Sequence, residues 1–174
     1  MQIREAVFDD ADELMALYDR MCEVLGEEDF LPDGDRGGFP PKKMVESAII
    51  QHRQFVGTEG GKIVAAYIMD HECDAAYGRA SWHVDAAPDE ASILHALRVL
   101  PEYGGRGYAK QLVGHAIQTA RARGQRALRL DCIEGNDVPQ RMYRSFGFAY
   151  VATVSITYPD IGVPRDFLLY ELAL

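Results

Sequence analysis

The chain predicts an α/β or α+β fold in a single domain, and three observations carry that expectation. Strand-like runs alternate with segments whose apolar residues recur every three or four positions, so both periods are present along one sequence. Gly and Pro clusters separate these runs at intervals too short for an independent second core. The 174 residues suit one domain of ordinary size, with no internal repeat and no low-complexity tract.

Residues Ile3 to Val7 alternate enough for a first strand, and Asp9 is the expected N-cap of the helix that follows, with Asp12 and Glu13 in its first turn. That helix runs toward Gly26. Its stripe of Ala11, Leu14, Met15, Tyr18, Met21, Cys22 and Leu25 has core-facing spacing. From Gly26 to Pro41 the pattern breaks into a loop carrying Glu27, Glu28, Asp29, Asp33 and Asp35. A second helix is expected from Pro41 to Gln54, turning Met44, Val45, Ala48 and Ile49 inward. Phe55 to Thr58 and Ile63 to Asp70 form a hairpin across Glu59-Gly60-Gly61-Lys62. A short strand is expected over 80–84, then a buried strand from Ile93 to Val99. After a glycine turn comes a long helix with the stripe Ala109, Leu112, Val113, Ala116, Ile117 and Ala120, stopped by Gly124. Ala127 to Ile133 is the next strand and Val138 to Phe146 a short helix closed by Gly147. Ala149 to Thr157 and Phe167 to Leu172 make a final pair that offers a sheet edge to a partner, consistent with a monomer or a homodimer.

Composition narrows the function classes. The formal charge of −9 disfavours nucleic acid as a partner, because gripping a phosphate backbone needs basic surface. No apolar run approaches the roughly 18 residues that cross a bilayer, so no membrane partner is expected. The sequence opens without a secretory signal, and Cys22, Cys73 and Cys132 are an odd set without metal-ligand spacing. Reduced thiols, a cytoplasmic location and no metal are the expectations.

The stretch from Val99 to Lys110 holds the strongest functional signal. Gly104, Gly105 and Gly107 permit positive φ and clear side chains away from backbone N–H groups, and the helix that follows directs its positive dipole end at the same place. A phosphate or diphosphate suits such a turn. The stretch lacks the Gly-Lys-Ser/Thr ending of a P-loop, and counting from Gly105 puts Lys110 where a dinucleotide fingerprint needs its third glycine. Kinase, ATPase and NAD chemistry are therefore disfavoured.

The spacing does match Arg/Gln-x-x-Gly-x-Gly/Ala after a strand ending in Val-x-Pro, here Val99-Leu100-Pro101 followed by Gly104-Gly105-Arg106-Gly107-Tyr108-Ala109. A second segment, Asn136 to Phe148, has the Asn-to-Tyr helix ending in Gly-Phe. With these two segments in order around a strand, the chain resembles the GNAT acetyltransferase superfamily over most of its length, most strongly from Ile93 to Phe148. The resemblance implies a mixed, mostly antiparallel sheet of six or seven strands with helices on both faces and a splayed central strand pair. It also implies acetyl-CoA as co-substrate. The turn Gly104, Gly105, Arg106, Gly107, Tyr108, Ala109 and Lys110 would hold the diphosphate. Leu97, Arg98 and Val99 would bind the pantetheine arm through backbone groups, and Asn136 and Tyr143 would also touch the cofactor. One departure is Gly104, which stands where the family has Arg or Gln.

Acetyl transfer to an amine requires a bound thioester, a free amine, donors for the oxyanion and a proton for the leaving thiolate. Tyr143 falls at the family's general-acid position, and a phenol is protonated at neutral pH. The other reading of Tyr143 is an amphipathic side chain packed beside Met142 and Phe146. His95 is the leading candidate base, placed by strand alternation on the same face as Leu97; a hydrogen-bonded core histidine is the equal alternative. Asp70, Glu72 and Asp131 are weaker candidates. Asn136 would cap the helix of Tyr143. Cys132, a strand thiol flanked by Leu130 and Ile133, fits inert core better than an acyl carrier, which favours direct transfer. The resemblance places the acceptor near the acidic segment from Glu27 to Asp35. The acceptor expected is a small-molecule primary amine, with cationic amines favoured. The alternatives are a protein or peptide N-acetyltransferase and a non-catalytic acyl-CoA-binding regulatory module.

Overall fold

The structure, a computed structural model, describes residues 1–31 and 38–174. The strands are β1 (Gln2–Glu5), β2 (Gln54–Glu59), β3 (Lys62–Asp70), β4 (Ala91–Val99), β5 (Ala127–Ile133), β6 (Ala149–Ile156) and β7 (Arg165–Ala173). Interspersed are the helices α1 (Ala11–Leu25), α2 (Lys42–Ile50), α3 (Tyr108–Ala122) and α4 (Asp137–Ser145). The seven strands form one open sheet in the order β1-β2-β3-β4-β5-β7-β6. Pairings β1–β2, β2–β3, β5–β7 and β6–β7 are antiparallel and β4–β5 is parallel, giving the mixed, mostly antiparallel sheet expected.

Packing separates two compact units: Met1–Met69 with His95–Leu112, and Asp70–Leu94 with Val113–Leu174. In the first, Gly60 and Gly61 have φ of 58° and 81°, the pair of positive values that a two-residue hairpin turn demands. The α1 residues Leu14, Leu17, Tyr18 and Met21 are buried with Val45, Ala48 and Ile49 of α2 and with Val56, Ile63, Ala66, Ile68 and Ala96. Leu17 takes the inward place expected for Met15, which is only partly buried.

Two local expectations give way to contacts between distant residues. Asp10, not Asp9, precedes α1, and its carboxylate turns back to accept from the Val7 N–H at 2.8 Å and from both ends of the Arg4 guanidinium at 2.6 and 2.9 Å. No side chain is left to cap α1. The bonds to Arg4 hold the Asp10 carboxyl below its usual range. Helix α2 stops at Ile50 rather than Gln54, closed by His52 at φ 57° and by an Arg53 N–H to Ala48 carbonyl bond of 2.8 Å. Gln54 is fully buried in β2 and donates through Nε2 to the Tyr67 carbonyl at 2.9 Å and the Tyr18 hydroxyl at 3.1 Å.

In the second unit β5 pairs with β7 along its whole length, from Ala127↔Ala173 to Ile133↔Phe167. Its ladder with β4 covers only Ala91↔Ala127 to Ile93↔Arg129. The strand expected over 80–84 does not form. Instead Glu171 of β7 accepts the N–H groups of His83 and Val84 at 2.8 and 3.0 Å, while Arg129 of β5 donates to the Val84 carbonyl at 3.0 Å. Arg129 and Glu171 pair at 2.9 Å with side chains 10% and 1% exposed, and the guanidinium lies 4.3 Å above the Trp82 ring.

This ion pair takes the place of a strand ladder in fixing residues 82–84. Replacing Glu171 by Gln leaves a buried guanidinium without its counter-charge, a change of about 3–5 kcal/mol. The expected outcome is a melting midpoint lower by on the order of 10 °C. A midpoint within about 2 °C of the parent would show that the pair contributes no more than a surface bridge.

Candidate functional site

The geometry around the glycine turn follows from its backbone. Pro101 to Tyr103 form a short 3-10 turn in which the Gly104 N–H donates to the Pro101 carbonyl at 2.9 Å. A Cβ on Gly104 would stand 3.0 Å from that carbonyl oxygen, a tight contact at the position where Arg or Gln was the expectation, although φ of −61° there suits any residue. Gly105 and Gly107 have φ of 73° and 76°, so the chain turns twice through the left-handed region before α3 begins. The ladder of α3 starts with the Gln111 N–H to Gly107 carbonyl bond of 3.1 Å. The amides of Tyr108, Ala109 and Lys110 precede it and have no backbone acceptor among the described residues. Gly105, Arg106 and Gly107 are exposed. The result is a row of amides without a backbone acceptor at a helix start, an arrangement suited to an anion.

A carboxylate lies beside this row. Glu59, at the end of β2, accepts from the Tyr108 hydroxyl at 2.6 Å and from Arg106 Nη1 at 3.3 and 3.4 Å. The bond to Glu59 raises the Tyr108 phenol above its usual value. The Arg106 guanidinium also stands 4.9 Å from the Tyr103 ring centre. Arg106 is therefore occupied by a carboxylate of the chain, a partner that sequence reasoning did not find.

Ala96 on β4 has φ of 48°, which breaks the strand's alternation between His95 and Leu97. The same-face argument for His95 does not carry across it. His95 is half-buried, as are Leu97, Arg98 and Val99. Ala96 and Leu100 pack into the cluster of α1 and α2, and Arg98 lies between them in sequence.

In the second unit Tyr143 is 7% exposed on α4, its ring edge-to-face with Phe148 at 5.6 Å. Asn136 stands at the N-cap of α4 but makes no side-chain capping bond. Asp131 Oδ2 accepts from the hydroxyls of Tyr77 at 2.9 Å and Tyr158 at 2.7 Å, and burial with the nearby Asp131 charge pushes both phenols well up. Trp82 donates Nε1 to the Tyr77 carbonyl at 3.0 Å. Asp70 is 6% exposed and accepts the Glu72 N–H at 2.8 Å. Cys132 is buried. Of the acidic segment, Asp33 and Asp35 lie outside the described residues. Among the described residues no group of His, Cys, Asp and Glu side chains is arranged to hold a metal ion, and no helix is long and apolar enough to cross a membrane.

Comparison with known proteins sets this geometry in context. The chain is 35% identical over 71 residues to a [ribosomal protein bS18]-alanine N-acetyltransferase of Haemophilus ducreyi, a match covering 41% of this chain and 48% of that protein. It thus spans about half the length of that curated relative. Among solved structures, a ribosomal-protein-alanine N-acetyltransferase from Brucella melitensis superposes with a TM-score of 0.74 at 18% identity over 100% of both chains. An acetyltransferase from Salmonella typhimurium, solved with acetyl-CoA, gives 0.71 at 17% identity over 99% of this chain and 93% of that one. These two likenesses are of fold. The profile of the acetyltransferase (GNAT) family matches residues 20–148, most of the described chain and both segments that carry the resemblance, and the chain belongs to that family.

Proposed function

We propose that the chain, acting as one acyltransferase domain, moves an acetyl group from acetyl-CoA directly to a primary amine of a small molecule. The observation that supports this reading is the row of amides from Tyr108 to Lys110, which have no backbone acceptor among the described residues, at the start of α3 behind the left-handed Gly105 and Gly107. In this reading those amides and Arg106 hold the diphosphate, and backbone groups of Leu97, Arg98 and Val99 hold the pantetheine arm. A bound thioester places its carbonyl where fixed N–H donors can stabilise the oxyanion; one such donor contributes roughly 3 kcal/mol in other enzymes. Tyr143 is assigned the proton returned to the thiolate, and His95 the proton taken from the amine. Asn136, which caps nothing through its side chain, keeps its amide for the cofactor.

A second reading, transfer to a peptide α-amine, is favoured by what the Haemophilus ducreyi protein is named to act on. Free-thiol release with acetyl-CoA and a panel of small amines and short peptides decides between them. Turnover of small amines is the expected result. Turnover of peptides alone supports the second reading, and tight cofactor binding without turnover would make the chain a non-catalytic module.

Three substitutions test the assigned roles. Because Glu59 occupies Arg106 and places negative charge beside the diphosphate turn, Glu59→Gln should lower KM for acetyl-CoA by about threefold to tenfold, and Arg106→Ala should raise it by a similar factor. An unchanged KM in both would detach this pair from cofactor binding. Tyr143→Phe should reduce kcat by on the order of a hundredfold while KM for acetyl-CoA stays within about threefold. Unchanged kcat removes Tyr143 from proton transfer. A base must be deprotonated to act, so a rate limited by His95 falls on the acidic side of the pH profile. His95→Ala should lose that acidic limb, and a profile identical to the parent's excludes this role.

A further inference from the structure

Arg98 is a charge in an apolar place. On β4 it falls between Ala96 and Leu100, both packed into the core cluster of α1 and α2, and its charge acts on the fully buried Tyr18 hydroxyl of α1. A guanidinium there calls for a carboxylate, yet no ion pair reaches it among the described residues. Its one hydrogen bond runs from Nη1 to the neighbouring Leu97 carbonyl at 3.0 Å. Nε is buried and has no partner. Buried donors are almost always satisfied, so an orphaned guanidinium N–H on the strand assigned to the cofactor arm needs an explanation.

We infer that Arg98 reads a carboxylate on the acceptor, so that the preferred substrate is an amino acid or a close analogue carrying an amine and a carboxylate. The inference rests on the proposed acetyl transfer and narrows its substrate class. The edge formed by Nε and Nη2 is the fork that meets a carboxylate with two parallel N–H···O bonds. Nothing among the described residues uses either atom. The side chain is partly exposed, so turning that edge toward a ligand exchanges one bond to a neutral carbonyl for two charge-assisted ones. The same turn releases the Leu97 carbonyl on the strand proposed to hold the cofactor arm.

The test compares α-amino acids with their primary amides as acceptors for the full chain, using thiol release at fixed acetyl-CoA. The parent should favour the amino acid by at least about tenfold in kcat/KM. Arg98→Gln should bring that ratio to within about twofold of unity, and Arg98→Lys, which keeps charge but not the fork, should fall between. Removing an unsatisfied donor should not lower the melting midpoint. A parent ratio near unity, or an Arg98→Gln loss equal for acid and amide, overturns the inference. If no amine is turned over, acetyl transfer itself fails. Saturation-transfer NMR of N-acetyl amino acids against N-acetyl amides with the CoA-loaded chain then reads Arg98 by itself. Selective binding of the acid, abolished by Arg98→Gln, supports the carboxylate role; equal binding or none contradicts it.

Discussion

The proposed cofactor site depends on the path of the backbone from Pro101 to Tyr108. A 3-10 turn uses up the Gly104 amide on the Pro101 carbonyl, two left-handed glycines swing the chain outward, and α3 begins with amides that have no backbone partner. Side chains make little of this site. Its donors come from the main chain, where they cost no rotamer freedom when a ligand arrives. The glycine at 104 belongs to the same constraint, since a side chain there would crowd the carbonyl that closes the turn.

Charges around this path are set against one another. Glu59 neutralises Arg106 at the turn, Asp10 takes both arms of Arg4 at the start of α1, and Glu171 meets Arg129 beneath Trp82. The buried pair fixes a segment that has no ladder of its own. In the proposed reading Glu59 instead sits where a diphosphate would add negative charge and would moderate affinity for it. Arg98 differs from these three arginines in having a buried Nε without a hydrogen-bond partner among the described residues, a feature shared by the Nε of Arg165.

What was legible in the sequence was what depends on neighbours along the chain. The Gly60-Gly61 hairpin, the inward stripes of α1 and α3 and positive φ at Gly105 and Gly107, though not at Gly104, were readable, because period and positive φ are local properties. Contacts between remote residues were not. The N-cap of α1 was missed because Arg4 captures Asp10, α2 was drawn too long because Gln54 finds its acceptor on β3, and residues 80–84 gave no strand because Glu171 binds their N–H groups from β7. The site divides the same way. The turn and the Asn136 to Phe148 segment were found by motif, whereas Glu59 against Arg106 and the tyrosine pair on Asp131 join residues with no shared spacing. The left-handed Ala96 was also invisible, since alanine carries no signal for positive φ, and it breaks the alternation that placed His95 beside Leu97.

The most direct measurement is a calorimetric titration of the chain with coenzyme A, run beside Gly107→Val. A β-branched residue at φ 76° cannot keep the turn's geometry. Saturable heat for the parent and at least about tenfold weaker binding for the variant, at an equal melting midpoint, is the outcome this account requires. No heat from the folded parent, or equal affinity in the two proteins, would mean that these main-chain donors do not hold the diphosphate.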